Sequence, residues 1–302
     1  MLPRLERPVV GLMGWGLLLW AVLVGRRPSM RGLDRRVTRL HWRYLGWPMQ
    51  RTALAVLTRR RDQTWWEALP AERCPGDDAA FYGGRDAAAP TLAAFRAGFY
   101  PMPEPWPAAG RVRRALLSLR GLAWHCPEPR AVTPAGEATT NKSLRRTLRQ
   151  SGWTTSMDRA FDAVLSHCVR PDSSNYWLTP RHRRTWTSLH HAGHAHSLEV
   201  WDDDELVGGL FGIQTGGVFY VASLFHTRSN ASKVADVDLN HRLGEAGGTL
   251  VDAGGFWYDY FDSVGVQRIP RQQFLTTLRR TRDDDVLLET GARPVDRLVP
   301  SA

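Results

Sequence analysis

The stretch GHAHSLEVWDDDELVGGLFGIQTGGVFY, Gly193 to Tyr220, decides the fold. Ser197 to Trp201 alternates as a half-buried strand does. Asp202, Asp203 and Asp204 read as a turn, and Glu205 to Gln214 as the returning, more apolar strand. Gly216-Gly217 turns the chain again into Val218 to Phe225. The three runs form an antiparallel meander. Downstream, Ser232 to Leu243 has a helical pattern stopped at Gly247-Gly248. Thr249 to Gly254 is a further apolar strand, and Pro270 opens a last helix within Ile269 to Arg280. Strands in series followed by helix, strand and helix place the chain in the α+β class.

Working upstream, Ser143 to Gln150 (SLRRTLRQ) has the marks of a short helix stopped by Gly152. Ser143 is the expected N-cap, Leu144 and Leu148 the buried face, and Lys142, Arg145, Arg146 and Arg149 the opposite face. In Gly83 to Pro101, Pro90 suits a helix start and Gly98 a stop. Met102 to Pro107 and Trp124 to Pro129 are proline-stiffened loops, and Cys74 to Ala80 is a boundary turn. The organisation expected is an extension over 1–76, a small domain over 77–130 and a larger one over 131–302.

The 302 residues are 43% hydrophobic and 23% charged, which excludes wholesale disorder. Lys and Arg number 40 against 30 Asp and Glu, a formal charge of +10 that suits a polyanionic partner, nucleic acid or an acidic membrane face. Cys74, Cys126 and Cys168 are too scattered for a disulfide framework or a paired-cysteine zinc module. Val9 to Val24 is uncharged but falls short of the ~20 residues of a spanning helix. If it inserts, the heavier Arg flank after it keeps the body of the chain in the cytoplasm. From Met30 to Leu69, Arg clusters alternate with Trp, Leu and Val as in a basic amphipathic helix. His190, His191, His194 and His196 lie close together without metal-site spacing, so packing or substrate contact is the expected role and no metal is called for. No phosphate-binding glycine loop and no nucleophile elbow occur. Asn230 or Ser232 is expected to cap the following helix, whose exposed amides could hold an anion.

The Gly193–Tyr220 stretch resembles the core of the leucyl/phenylalanyl-tRNA–protein transferases. Asn230 to Lys233 (NASK), Gly247 to Asp252 (GGTLVD) and Ile269-Pro270-Arg271 continue the likeness in order, as do Trp124 to Val132 and Trp177-Leu178-Thr179 upstream. The similarity runs from about Phe81 to Leu278; the residues before it have no counterpart in the family. The resemblance implies a GNAT-like fold of the acetyltransferase type with a small N-terminal domain. It implies transfer of leucine or phenylalanine from charged tRNA to the amine of a protein beginning with Arg or Lys, in the cytoplasm. Aminoacyl-tRNA is then a co-substrate and no cofactor is needed. It places tRNA against Lys142, Arg145, Arg146, Arg149, Asn230 and Lys233. It places an aminoacyl pocket at Met102, Trp177, Leu210, Phe219, Ala222, Leu224 and Leu239, with Asp252 and Ser223 positioning the reacting groups.

Several residues depart from the family pattern. Ala222 stands where the family has Glu, and Gly254 where it has Gln. Leu210, Leu224 and Leu239 replace Met, Met and Phe, and Met102 replaces Trp. The loop Gly254 to Asp262 is longer, and its Tyr258, Asp259 and Asp262 offer new polar contacts. The chemistry tolerates such losses. An α-amine has a pKa near ~7.8, so about a tenth is neutral at pH 7. Holding amine and ester in line can supply about 7–11 kcal/mol of the barrier. Selectivity is less protected, so an acceptor other than a protein N-terminus (a small peptide or amino compound), or an idle tRNA- or membrane-binding relative, is the alternative reading. Transfer from an acyl-CoA would rest on fold analogy alone.

Overall fold

The computed structural model describes Trp66, Ala71, Cys74 and residues 81–82, 86–102, 122–170, 177–255 and 257–299. The apolar run 9–24, the basic stretch over 30–69 and most of the Met102–Pro107 loop lie outside the described residues. Among the described residues no helix is long and apolar enough to cross a membrane.

Two sheets carry the chain. The small one pairs β1 (Phe81–Tyr82) and β2 (Tyr100–Met102) on either side of β3 (Ala123–His125). Helix α1 (Ala88–Arg96) precedes β2, with Pro90 in its first turn. It stops where Gly98 takes φ +89 and Phe99 N–H reaches back to the Ala94 carbonyl.

The large sheet has eight strands: β4 (Arg130–Pro134), β5 (Thr154–Met157), β6 (Ala195–Asp202), β7 (Glu205–Thr215), β8 (Val218–His226), β9 (Leu250–Gly254), β10 (Gln267–Ile269) and β11 (Arg293–Pro294). Their order is β10-β4-β9-β8-β7-β6-β5-β11. The α+β class holds, and β6–β7–β8 is the meander that the alternation foretold. Asp203 at φ +52 makes its first turn. Gly216 makes the second at φ +55, where a Cβ would lie 2.0 Å from the Thr281 carbonyl oxygen. β7 is buried on both faces along most of its length, which marks it as central.

The helices are α2 (Lys142–Gln150), α3 (Phe161–His167), α4 (Pro180–His191), α5 (Ala231–Glu245) and α6 (Arg271–Thr281). α5 connects β8 to β9, the one parallel pair of the large sheet, as a parallel connection requires. It packs so close to β7 that a Cβ on Gly208 would sit 2.6 Å from the Ala231 methyl. One apolar cluster fills this face of the sheet with Leu198, Leu210, Phe219, Val234, Val237, Leu239 and Val251. A second holds Phe161, Trp186, Phe211 and Phe225 against α3 and α4 on the other face. A third joins Trp66, Phe99 and Trp124 of the small sheet region to Leu250, Phe274 and Leu275 of the large one.

Two expected caps are corrected. α2 starts one residue earlier than Ser143, and Asn141 caps it: its side-chain oxygen accepts from Leu144 N–H at 2.9 Å. The acceptor must stand three residues before the orphan amide it serves, and Ser143 stands too close. Asn230 precedes α5 with φ +70, and its side chain makes no capping bond. Its amide instead donates to Thr147 Oγ1 at 2.9 Å and Ser143 Oγ at 3.2 Å, which ties α5 to α2. Ser232 hydrogen-bonds His226 Nδ1 at 3.2 Å.

The Gly216 turn yields a stability prediction. Gly217 N–H donates to Thr281 O at 2.9 Å and Thr249 N–H to Gly217 O at 2.7 Å, so the β7–β8 turn, the end of α6 and the start of β9 cross there. Gly216→Ala adds left-handed strain and a clash with backbone, and is expected to cost about 2–4 kcal/mol in urea unfolding. Asn141→Ala, which removes one cap, is expected to cost about 1 kcal/mol in the same measurement.

Candidate active site

β8 pairs with β9 at Val218, Phe219 and Tyr220 only, opposite Leu250, Val251 and Asp252. Beyond Tyr220 it runs on to His226 against β7 alone. A bulge lies in this part: Phe211 faces Ser223 and Gly212 faces Val221, so Ala222 is the extra residue. Residues 220–224 are partly exposed in the middle of an eight-stranded sheet, where full burial is the rule. The parting of β8 from β9 is therefore a cleft with a free strand edge on one side. Arg170 reaches that edge and donates to the Leu224 carbonyl at 2.9 Å.

The closed end of the cleft is held by a buried ion pair. Arg130 Nε donates to Asp252 Oδ1 at 2.8 Å and Arg130 Nη2 to Oδ2 at 2.6 Å. Both side chains are almost fully buried, at 1% and 2% exposure. The Gly254 amide donates to Asp252 Oδ1 at 2.9 Å, so the same carboxylate fixes the turn that leads β9 away from β8. Arg130 also donates to the Gly98 carbonyl at 3.3 Å and lies over the Phe274 ring at 4.2 Å. Tyr100 stacks between Tyr220 and His125, at centroid distances of 5.2 and 5.5 Å. Burial raises both tyrosine pKa values, so the hydroxyls stay protonated.

The structure divides the seven expected pocket residues. Leu210, Phe219 and Leu239 are fully buried in the cluster shared with α5, and Leu224 packs partly exposed against it. Met102, Trp177 and Ala222 are partly buried against the cluster on the α3–α4 face. The pleat of β8 separates the two groups, and the Ala222 bulge shifts the alternation beyond it. Ser223 shares a side-chain hydrogen bond with Cys168, whose thiol is pushed up to about 12 by burial. From the lengthened loop, Trp257 and Tyr258 are exposed, whereas Phe261 is buried in the α5 cluster. Arg268 lies 4.2 Å from the Trp257 ring centre.

On α2, Lys142, Arg145, Arg146 and Arg149 are all exposed. Arg145 donates to the Thr140 carbonyl and Arg146 to Gln150, at 3.0 and 2.9 Å. Among the described residues no carboxylate pairs with these four or with Lys233. Through Asn230 this basic face is continuous with the start of α5. Two of the four clustered histidines serve the fold: His196 Nδ1 meets Asp158 Oδ2 at 2.7 Å, and His190 bonds the Ala195 carbonyl and stacks on Phe161 at 4.0 Å. No group of three His, Cys, Asp or Glu that could hold a metal occurs among the described residues.

Arg130, Tyr100 and Tyr220 escape a motif reading. The available signal for Arg130 is an arginine opening an otherwise apolar strand, Arg130-Ala131-Val132, where burial obliges it to find a carboxylate. Asp252→Asn is expected to cost about 3–5 kcal/mol in chemical unfolding, because it leaves the buried guanidinium with no counter-charge. Arg130→Met with Asp252→Leu is expected to be less destabilising than either single change, as a double-mutant cycle would show.

Residues 132–279 match the family described as Leucyl/phenylalanyl-tRNA protein transferase. A leucyl/phenylalanyl-tRNA–protein transferase of Shewanella piezotolerans is 41% identical over 167 residues, 55% of this chain and 70% of that one. The Nitrobacter winogradskyi protein of that name is 37% identical over 217 residues, 70% of this chain and 88% of that one. Among solved structures, a GCN5-related N-acetyltransferase from Kribbella flavida matches at TM-score 0.30 and 14% identity over 59% of each chain, too slight to bear on the fold. With relatives of this identity matched along most of their length, the chain belongs to the leucyl/phenylalanyl-tRNA–protein transferase family.

Proposed function

We propose that the chain is an aminoacyltransferase that moves an amino acid from a charged tRNA to the N-terminal amine of a protein. The amine nitrogen attacks the ester carbonyl of the aminoacyl-tRNA. The C–N bond forms, the C–O bond to the terminal ribose breaks, and the amine proton leaves with the ribose oxygen. An ester is activated enough that no cofactor is required. What the protein supplies is juxtaposition in a site shielded from water.

The observation that carries this reading is the cleft between β8 and β9, flanked on α2 by cations that no carboxylate neutralises. Lys142, Arg145, Arg146 and Arg149, with Lys233 and Asn230 at the α5 end, take the phosphates of the tRNA acceptor arm. The aminoacyl group enters beside β8 on its α5 face, against Leu224 and over the buried Leu210, Phe219 and Leu239, while Ala222, Met102 and Trp177 line the other face of the strand. The free edge of β8 offers backbone groups to the amide being made, and Ser223 adds a hydroxyl. Both oxygens of Asp252 are taken up by Arg130, and one of them also by the Gly254 amide. Asp252 is therefore a positioning residue, which sets the Gly254 turn and the cleft width. The small sheet region, 77–130, buttresses the transferase body, 131–302, through the Tyr100–Tyr220 stack and the Arg130 pair.

The test uses purified protein, a full set of labelled aminoacyl-tRNAs, and protein, peptide and small-amine acceptors. Mass spectrometry reads the added residue. Transfer to a protein N-terminus is expected; transfer only to small amines, or tRNA binding with no product, overturns it. Replacing Arg145, Arg146 and Arg149 together by Ala is expected to weaken tRNA binding. It should also flatten the slope of log affinity against log salt by about 2, as the loss of three phosphate contacts implies. Fluorescence anisotropy at several salt concentrations measures this, and an unchanged slope would remove α2 from the tRNA interface.

A further inference from the structure

Among the described residues, the carboxylates held inside the fold have donors. Glu199 accepts from Ser156 and Ser197, both at 2.6 Å. Asp238 accepts from Arg242 at 2.9 Å and from Arg297. Asp86 accepts from Thr185 at 2.7 Å and lies 2.9 Å from His182 Nδ1. Asp252 has Arg130. Asp236 is the partly exposed position on the otherwise buried face of α5 that carries Ser232, Leu239, Asn240 and Leu243, and it has no hydrogen bond and no ion pair among the described residues. Burial without a donor pushes its carboxyl up to about 7. An unpaired acid in apolar surroundings destabilises a fold, so its presence at a cleft points to a ligand.

The place of Asp236 follows from the anchors of its helix. Ser232 and Asn240, four residues to either side, share its stripe of α5. Ser232 is bonded to His226 at the far tip of β8, and Asn240 Nδ2 donates to the Pro134 carbonyl at the end of β4 at 2.8 Å. The stripe therefore crosses the sheet from β8 to β4, with β9 between them. Leu239, on the same face, is one of the expected pocket residues. Val221 and Leu224 of β8, Ala253 of β9 and Tyr260 are all partly exposed around this cluster. Tyr260 is near enough that burial and then the charge of Asp236 raise its pKa. An apolar recess with one acid in it discriminates by charge: a wholly apolar side chain placed there leaves the carboxyl unmatched, and a cation completes it.

We infer that Asp236 is a specificity-determining residue of the cleft and takes an alkylammonium or guanidinium group carried by a substrate. The inference rests on the aminoacyl-transfer reading. The cation has two sources in that reaction, the side chain of the transferred amino acid or the first side chain of the acceptor.

Calorimetry on the full chain at pH 8 separates them. One pair of probes is adenosine carrying lysine or norleucine through a 3′-amide, which differ only by the ammonium group. The other pair is a short peptide beginning with Arg or with citrulline, which differ only by the charge. The wild-type protein is expected to prefer the cationic member of one pair by about tenfold or more. Asp236→Asn and Asp236→Leu are expected to reduce that preference to about twofold or less. Preference in the first pair assigns the cation to the donor, and in the second to the acceptor. Equal binding within both pairs, or a preference that survives in Asp236→Asn, overturns the inference. If neither adenosine probe binds, the transfer reading falls as well; if both bind equally, only the role of Asp236 falls. Both variants are expected to melt no lower than the wild type, since they remove an acid that has no partner in the fold; a lower melting temperature would expose a structural partner and overturn the inference too.

Discussion

Two neighbouring strands that run parallel for three residues and then separate set the terms for the rest of the molecule. A strand inside a sheet has its backbone groups taken by both neighbours. β8 loses one neighbour at Tyr220 because β9 turns toward β4 at Asp252–Gly254, and the Arg130 fork and the Gly254 amide hold that turn. The opening so made leaves five successive residues of a central strand, 220–224, partly exposed. Its walls come from both sides of the sheet, since successive β8 residues face opposite clusters. An opening of this kind lets a chain-like substrate lie alongside a strand edge without disturbing the core beneath.

The charge distribution divides along the same line. Inside, arginines are matched with acids: Arg130 with Asp252, and Arg242 with Asp238. Outside, on α2, they are not. Matching is obligatory in a low-dielectric interior and optional in water, so an unmatched cationic face says something about what approaches it. The Asn230 tie joins this cationic face and the start of α5 in one unit. Asp236 inverts this pattern, as a partly exposed acid on the inward face of α5 with no partner among the described residues. The relatives are named for leucine and phenylalanine. A carboxyl group beside an apolar recess is at odds with those two side chains, and the Glu of the family missing at Ala222 is at odds with simple inheritance of its selectivity.

The reaction itself asks little of acid–base groups, which is why a chain can lose the family's Glu and Gln and keep its architecture. What it does ask for is geometry: a tight turn at Gly254, an edge at Val221–Leu224, and an arginine pair that stops the two strands from closing. These are demands on packing and register more than on the identity of any one polar side chain.

Local chemistry was legible in the sequence. The alternation of Ser197–Trp201, the glycine and aspartate turns, and the two-faced pattern of SLRRTLRQ depend on residues within a few positions of one another, and each produced the element expected. The family motifs fall on β8 and β9, the two strands that part beyond Tyr220. Tertiary structure decided what those motifs do. Arg130 and Asp252 stand 122 residues apart, and no local pattern announces their pairing. The face each β8 side chain takes depends on a bulge that exists only in register with β7. Asn141 took the cap expected of Ser143, and Asn230 became a tie to α2 instead of a cap, because a cap requires an exact offset and a tie requires a neighbouring helix. Whether an acid is matched or left alone, as at Asp252 and Asp236, is settled by which distant segments fold beside it.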